Sequence, residues 1–251
     1  MAAITILDDE VAAAEAVAER LSMSAARAFA DFRNLTICLT GGRTPERMYM
    51  LLADPGRPWR ERIDWPNVHV FWGDERHVPP DHPDSNYGMA ARALIAKVPI
   101  PPEQVHRICG EFPHPHAAAT RYEAELREAF ARAGRRDETF DVMLLGLGED
   151  AHIASIFPES PLLEEEYRPP GRVAAVWAPR LNSWRITLTP RALVDARRIV
   201  LLAAGDKKAD AVHAALERPS DVPRWPVHLL READDRVEWF LDRAAARKLS
   251  S

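Results

Sequence analysis

The chain has 251 residues, ample for a sizeable core, and its 47% hydrophobic and 28% charged composition is ordinary for a globular protein. A formal net charge of −5 argues against a broad nucleic-acid-binding face, and no apolar run is long enough to span a membrane. Two cysteines, Cys38 and Cys109, without a C-x-x-C pair suggest neither a disulfide framework nor a zinc cluster, and the acids near the amino terminus do not suit a secretory signal. A cytoplasmic protein is expected.

The first predicted elements are a strand at Ile4 to Leu7 and an alanine-rich helix from Asp9 to Phe32 with acids at its start, where they suit the helix dipole. A strand at Leu35 to Thr40 runs into Gly41 and Gly42. Thr44 is then a candidate N-cap, with Pro45 at the first position of a helix through Leu52. Val68 to Trp72 is a strand, and a proline-rich loop leads to a helix near Ser85 to Ala96. A helix from His116 to Ala133 precedes an apolar strand at Phe140 to Leu145, after which Ala151 to Phe157 is predicted as a short helix stopped by Pro158. Strands near Val173 to Trp177, Arg185 to Leu188 and Ile199 to Ala203 follow, with helices at Asp206 to Leu216 and Ala233 to Arg247. Alternating strands and helices imply a mainly parallel sheet covered on both faces. With no boundary rich in glycine, serine or charge, the chain reads as one α/β domain over residues 1–251.

Chemistry-bearing residues fall at strand carboxyl ends, where open α/β sheets bind ligands. LLGLGEDAHIASIFP delivers His152 from a buried strand through a glycine turn. On the predicted helix it would feel the positive dipole end, which favours a neutral, proton-accepting imidazole; a lone histidine can also simply cap the turn. Gly146, Gly148 and Ala151 satisfy G-x-G-x-x-A, but a helix ending at Pro158 is too short for a dinucleotide fingerprint. In LTGGRTP two glycines allow backbone N–H groups to approach an anion, and Arg43 adds a charge. GDERHVPPDHPDSNY places Asp74, Glu75 and Arg76 after another strand, a carboxylate orienting a guanidinium or a merely solvated loop. Lys207 and Lys208, in the first turn after LLAAGD, oppose the helix dipole by ~0.3 to 1 kcal/mol, a placement that hints at a ligand. His77, Asp81 and His82 have no zinc-like spacing, and no metal is expected.

In this order and over most of the chain, LTGGRTP, GDERHVPPDHPDSNY, LLGLGEDAHIASIFP, RITLT and G-x-x-K resemble the 6-phosphogluconolactonase family more than the related glucosamine-6-phosphate deaminases. The resemblance implies a three-layer α/β/α sandwich with a Rossmann-like sheet, of the deaminase and ribose-5-phosphate isomerase type. It implies hydrolysis of 6-phosphogluconolactone in the pentose phosphate pathway, with a phosphorylated lactone as ligand, no cofactor, no nucleic-acid or membrane partner, and a monomer. By the same resemblance His152 is the catalytic base, and Asp74 orients it or the substrate. Gly41, Gly42, Arg43, Thr44, Arg76 and Lys208 hold phosphate and sugar oxygens, with Arg185 a further contact. Where the family's turn carries DGHTASLFP this chain has Ala151 and Ile153; a positive φ at Ala151 would cost about 1 kcal/mol. Competing readings are a sugar-phosphate isomerase or deaminase, which needs a carboxylate base such as Asp74, and a sugar-phosphate sensor, which would carry a helix-turn-helix ahead of the strand at Ile4.

Overall fold

The structure, a computed structural model, describes residues 2–31, 33–135, 137–167 and 169–250. Its elements in chain order are β1 (Ala3–Leu7), α1 (Glu10–Ala30), β2 (Leu35–Leu39), α2 (Arg43–Ala53), α3 (Trp59–Arg62), β3 (Val68–Trp72), β4 (Asp74–Arg76), α4 (Asn86–Ala93), β5 (Val105–His106) and α5 (Pro115–Arg132). There follow β6 (Val142–Gly146), β7 (Val173–Ala178), β8 (Ser183–Leu188), α6 (Pro190–Val194), β9 (Ile199–Ala203), α7 (Ala209–Glu217), β10 (Val237–Asp242) and α8 (Arg243–Ala246).

Seven strands form one sheet in the order β1-β10-β9-β6-β2-β3-β5, with every pairing parallel. Strands β2, β3 and β9 are buried along their whole length because helices flank the sheet. α1 shows how. Asp9 caps it by accepting the Ala12 N–H at 2.9 Å, and Ala13, Ala14, Val17, Ala18, Leu21, Ala25 and Ala28 form a buried stripe at helical spacing that packs toward β10 and α2. Phe71 of β3, Phe130 of α5 and Phe140 form an aromatic cluster in the core, ring centroids 5.0 to 5.4 Å apart, with Phe71 stacked on Phe130 and edge-on to Phe140.

The observed elements depart from the sequence reading in several places. The predicted strands after Val173 and Arg185 do not join the parallel sheet; with β4 they build a separate antiparallel sheet, β4-β8-β7, beside it. The predicted helix from Ala233 to Arg247 is instead the end of a run of 3-10 turns (Pro226–Arg236), strand β10 and the short α8. β10 lies between β1 and β9, and these two parallel neighbours override the helical patterning of its sequence. α2 begins at Arg43 with Gly42 (φ 112°) as its N-cap, so Thr44 is inside the helix and Pro45 is not its first residue. α1 is helical to Ala30, and Phe32, where that helix was expected to end, lies outside the described residues.

The helix expected from Ala151 to Phe157 does not form. Ala151 (φ 62°) and Ala154 (φ 46°) are left-handed, which breaks right-handed propagation, and Ile153 bridges Ile156 instead. Both isoleucines are fully buried, so the segment is held by tertiary packing rather than by a local hydrogen-bond ladder.

From Thr36 to Asp242 the chain order dictates one further feature. β2 and β3 step to one side of β6, while β9 and β10 step to the other, so the sheet reverses its winding between β2 and β6. A crevice must open at the carboxyl ends there.

Candidate active site

The turns after β2, β3, β6 and β9 meet in that crevice. A cleft of about 510 Å³ is lined by Gly41, Gly42, Asp74, Arg76, Asn86, Glu149, Asp150, His152 and Lys208, among others. A second cavity of about 430 Å³ adjoins it along Gly41, Gly42, Gly146, Glu149 and Lys208, and adds Arg43, Thr44, Arg47 and Lys207. Both lie in the size range of small-molecule sites, and one is markedly cationic.

Two buried tyrosines anchor the strand ends that feed the crevice. Tyr49 accepts the Thr40 N–H at 3.0 Å and donates to the Thr40 carbonyl at 2.8 Å. Tyr122 does the same for Trp72, at 2.9 Å each way. Burial pushes both phenols above their ordinary range, which keeps them neutral donors. Backbone groups past the ladder are thereby satisfied and fixed.

His152 sits in a tight turn in which Gly148 donates to the His152 carbonyl at 2.9 Å and Ala151 to the Gly148 carbonyl at 3.1 Å. Its Nδ1 lies 2.5 Å from Asp150 Oδ1. An ionised carboxylate can only accept, so Nδ1 carries a proton, and the neutral form of the ring would have its lone pair on Nε2. Burial acts to raise the Asp150 carboxyl, but the hydrogen bond and charge of His152 outweigh it and hold the group below its ordinary range. A Cβ on Gly148 would overlap the His152 ring, so glycine is required there.

Asp74 has different partners. Ser155 donates to its Oδ2 at 2.6 Å, and Asn86 Nδ2 donates to its Oδ1 at 3.1 Å and to its carbonyl at 2.9 Å. Ser155 is therefore buried against Asp74 rather than on a helix, and it is Asp150, not Asp74, that bonds the imidazole. Glu75 organises this corner from behind. It accepts from the backbone N–H groups of Arg76, Asn86 and Tyr87 at 2.7 to 2.8 Å and from Ser85 Oγ at 3.0 Å, an anion at the amino end of α4. Its burial raises its pKa, against those hydrogen bonds and with help from the charge of Asp74. Asn86 crosses so close to Gly41 that any Cβ there would collide with its amide.

Of the expected anion contacts, Arg43 and Lys208 meet in the second cavity. Burial lowers the Lys208 ammonium pKa, while Glu149 and Asp150 act to raise it and Arg43 to lower it. Thr44 lines the same cavity, its hydroxyl donating to Glu10 at 3.0 Å. Arg76 lines the cleft and donates to the Asp84 carbonyl. Arg185 is opposite Arg76 in the β4-β8 register and donates to Ser183 Oγ at 2.8 Å; it is not among the residues lining either cavity. Burial, then the charge of Arg76, lowers its pKa. The Gly205 turn (φ 93°) is pinned by both Asp242 carboxylate oxygens at 3.0 Å.

Sequence reading missed Asp150, Asn86, Glu149 and Asp242. Asp150 carried a signal, a carboxylate two residues before the singled-out histidine in a glycine turn. Asp242 carried none, because its strand was read as helix.

In class this is an α/β protein with a charged cleft at the switch point of a parallel sheet, holding a carboxylate-paired histidine. The chain belongs to the family Glucosamine-6-phosphate isomerases/6-phosphogluconolactonase, which matches residues 8–239. It is 37% identical over 246 residues to the 6-phosphogluconolactonase of Streptomyces coelicolor, covering 96% of this chain and 92% of that one. With the 6-phosphogluconolactonase of Haemophilus influenzae it shares 35% identity over 213 residues, 85% of this chain and 87% of the other. The structure of the Trypanosoma brucei 6-phosphogluconolactonase superposes with a TM-score of 0.82 at 27% identity, covering 100% of this chain and 99% of that one. A monomeric glucosamine-6-phosphate deaminase at 19% identity and a TM-score of 0.81 shares the fold.

Proposed function

We propose that this protein hydrolyses 6-phospho-D-glucono-1,5-lactone to 6-phosphogluconate, the lactone-opening step of the oxidative pentose phosphate pathway. The observation that carries the reading is the Asp150–His152 pair on the wall of a cleft whose neighbour is lined by Arg43, Lys207 and Lys208. Family membership and the named lactonases agree with it.

In this mechanism the phosphate enters the cationic cavity, where Arg43, Lys208 and the Gly41–Gly42 backbone hold it. Thr44 is already bonded to Glu10 and contributes as a spacer or secondary donor. Arg76 and Asp74 address the sugar oxygens, with Asp74 held rigid by Ser155 and Asn86, and Arg185 reinforces the positive field behind Arg76. His152 Nε2 takes a proton from water as the water oxygen attacks the ring carbonyl. Asp150 stabilises the imidazolium, which returns its proton to the departing ring oxygen. Backbone N–H groups of the Gly146 to Gly148 turn are candidates for the oxyanion. General acid–base transfer contributes ~100 to 10,000-fold and phosphate anchoring the positioning.

The isomerase or deaminase reading would need Asp74 free to remove a carbon-bound proton; its hydrogen bonds to Ser155 and Asn86 fit a fixed binding role better. No deuterium should enter glucosamine-6-phosphate or ribose-5-phosphate incubated with the protein in deuterated water. The cytoplasm and a monomeric state are part of the same reading, and the free thiols of Cys38 and Cys109 suit a reducing compartment. Among the described residues no helix is long and apolar enough to cross a membrane.

A rapid coupled assay with freshly made 6-phosphogluconolactone, corrected for spontaneous hydrolysis, tests the proposal. Enzyme-dependent opening should depend on the phosphate; equal rates on the unphosphorylated lactone would refute the anion site.

A further inference from the structure

A third cavity of about 360 Å³, sharing His152 and Asp150 with the cleft, lies beside it and is otherwise unused by the lactone mechanism. The imidazole and its carboxylate are thus a wall common to the two. The remaining wall is largely apolar. Phe157 and Pro158 come from the chain after His152, and Val176, Trp177 and Leu181 from the β7-β8 hairpin. The Phe157 ring is 4.6 Å from that of His152, centroid to centroid. Trp177 is 39% and Leu181 53% exposed, an uncovered apolar surface beside a catalytic group.

Two charged side chains also line this cavity, Arg180 and Glu159. Both residues are exposed, and neither side chain has a hydrogen bond or ion pair among the described residues, although the two carry opposite charges at one site. An apolar, aromatic-lined pocket of this volume with a few convergent polar groups has the composition of a small-molecule site. Its chemistry asks for a flat apolar body with one anionic and one cationic group.

We propose that this cavity binds a free aromatic α-amino acid and that occupancy slows turnover at His152. The aromatic ring packs against Trp177 and Phe157, the carboxylate pairs with Arg180, and the ammonium pairs with Glu159. A ring seated there packs against the Phe157 side of His152 and bears on the Asp150–His152 pair. It therefore lowers kcat and leaves the phosphate cavity, and hence KM, unchanged.

Isothermal titration calorimetry on the intact protein, with L-tryptophan and L-phenylalanine as probes, tests the site without reference to lactone hydrolysis. Indole-3-propionate, tryptamine and indole remove the ammonium, the carboxylate or both. Saturable binding is expected for both amino acids, and loss of either charge should weaken the indole series about ten- to a hundredfold, the range for one charge-assisted contact. Arg180→Ala should reduce L-tryptophan to the affinity of tryptamine, Glu159→Gln to that of indole-3-propionate, and Leu181→Asp should weaken every probe. All three positions are exposed, so the variants should fold. No saturable binding, indole binding as tightly as L-tryptophan, or indifference to Leu181→Asp would overturn the proposal. The kinetic arm rests on the proposed hydrolysis: bound L-tryptophan should lower kcat at constant KM, and a rise in KM alone would place the ligand in the substrate cleft and overturn the site. A protein inactive on the lactone but binding these probes would fail the functional reading and leave the site standing.

Discussion

Two of the histidine–carboxylate pairs among the described residues, His152–Asp150 and His106–Glu125, have nearly the same chemistry and different surroundings. His152 Nδ1 lies 2.5 Å from Asp150, and His106 Nδ1 lies 2.8 Å from Glu125. The His106 side chain is 1% exposed, and its other ring nitrogen is taken up by His69 Nδ1 at 3.0 Å, with the two rings stacked 3° from parallel. His152 is 31% exposed and faces a cleft with Nε2 open. A carboxylate partner is thus common to both. What separates the two is whether the second ring nitrogen is already bonded. The first pair lies at an open cleft at the carboxyl edge of the sheet, the second between β3, β5 and α5.

The largest effect expected from breaking this contrast is on turnover. His152→Asn should lower kcat at least ~100-fold with KM little changed, because it removes proton transfer and leaves the phosphate contacts. Steady-state kinetics on the lactone would show it; near-normal turnover would move the base elsewhere, with Asp74 the first suspect. Asp150→Ala should cost less, about 10- to 100-fold in kcat, since the imidazole remains but loses its fixed tautomer and its partner when protonated. A loss confined to KM would mean that Asp150 acts on substrate binding alone.

The matching change in the core should leave kcat alone. His106→Ala leaves His69 Nδ1 without a partner and removes the stack on Phe71, 4.5 Å away, so a loss of about 1 to 3 kcal/mol is expected from the unpaired polar group. At about 2 to 4 °C per kcal/mol for a chain of this size, thermal melting would resolve it. Unchanged Tm would mean that the buried pair is not structural.

The same pair sets a pH dependence. Burial, then the neighbouring His106 and Arg132, lowers His69 from 6.5 to about 4, and burial lowers His106 as well despite Glu125. Between pH 6.5 and about 4 the unfolded chain therefore binds protons that the native state refuses, and stability falls as pH falls through that window. Asp150 adds a loss further down, because its depressed carboxyl stabilises the fold above pH 3.8 and ceases to as it protonates below. Urea midpoints across pH 4 to 7 should decline toward acid in the wild type and less in His69→Asn. A midpoint rising toward acid would reverse the assignment. The smallest effect is at Ala151, whose φ of 62° favours glycine: Ala151→Gly should raise stability by about 1 kcal/mol or less, and a clear loss of Tm would show that the turn is unstrained.

Sequence patterning was enough for the strands that end in the crevice, because each is a short apolar run punctuated by glycine: Leu39 before Gly41, Trp72 before Gly73, Leu145 before Gly146, Ala203 before Gly205. It located His152 but misread its backbone. Ala151 and Ala154 are good helix formers, and nothing local reveals that tertiary packing of Ile153 and Ile156 turns both alanines left-handed. The helix whose dipole was expected to act on His152 does not form, and the Asp150 contact fixes the ring instead. β10 was invisible for a related reason. Val237–Asp242 follows charged, helix-like sequence, and only the gap between β1 and β9 makes it a strand. The corner of Asp74, Asn86, Ser155 and Glu75 joins residues up to 81 positions apart, a distance over which periodicity carries no information.

The tautomer of His152 tests the catalytic assignment most directly. Ring ¹⁵N chemical shifts of selectively labelled protein, at a pH where it is active, should show a protonated Nδ1 and an unprotonated Nε2 for His152, and Asp150→Ala should abolish that preference. A protonated Nε2 in the neutral ring, or a tautomer unmoved by loss of Asp150, would contradict the assignment of His152 as the base.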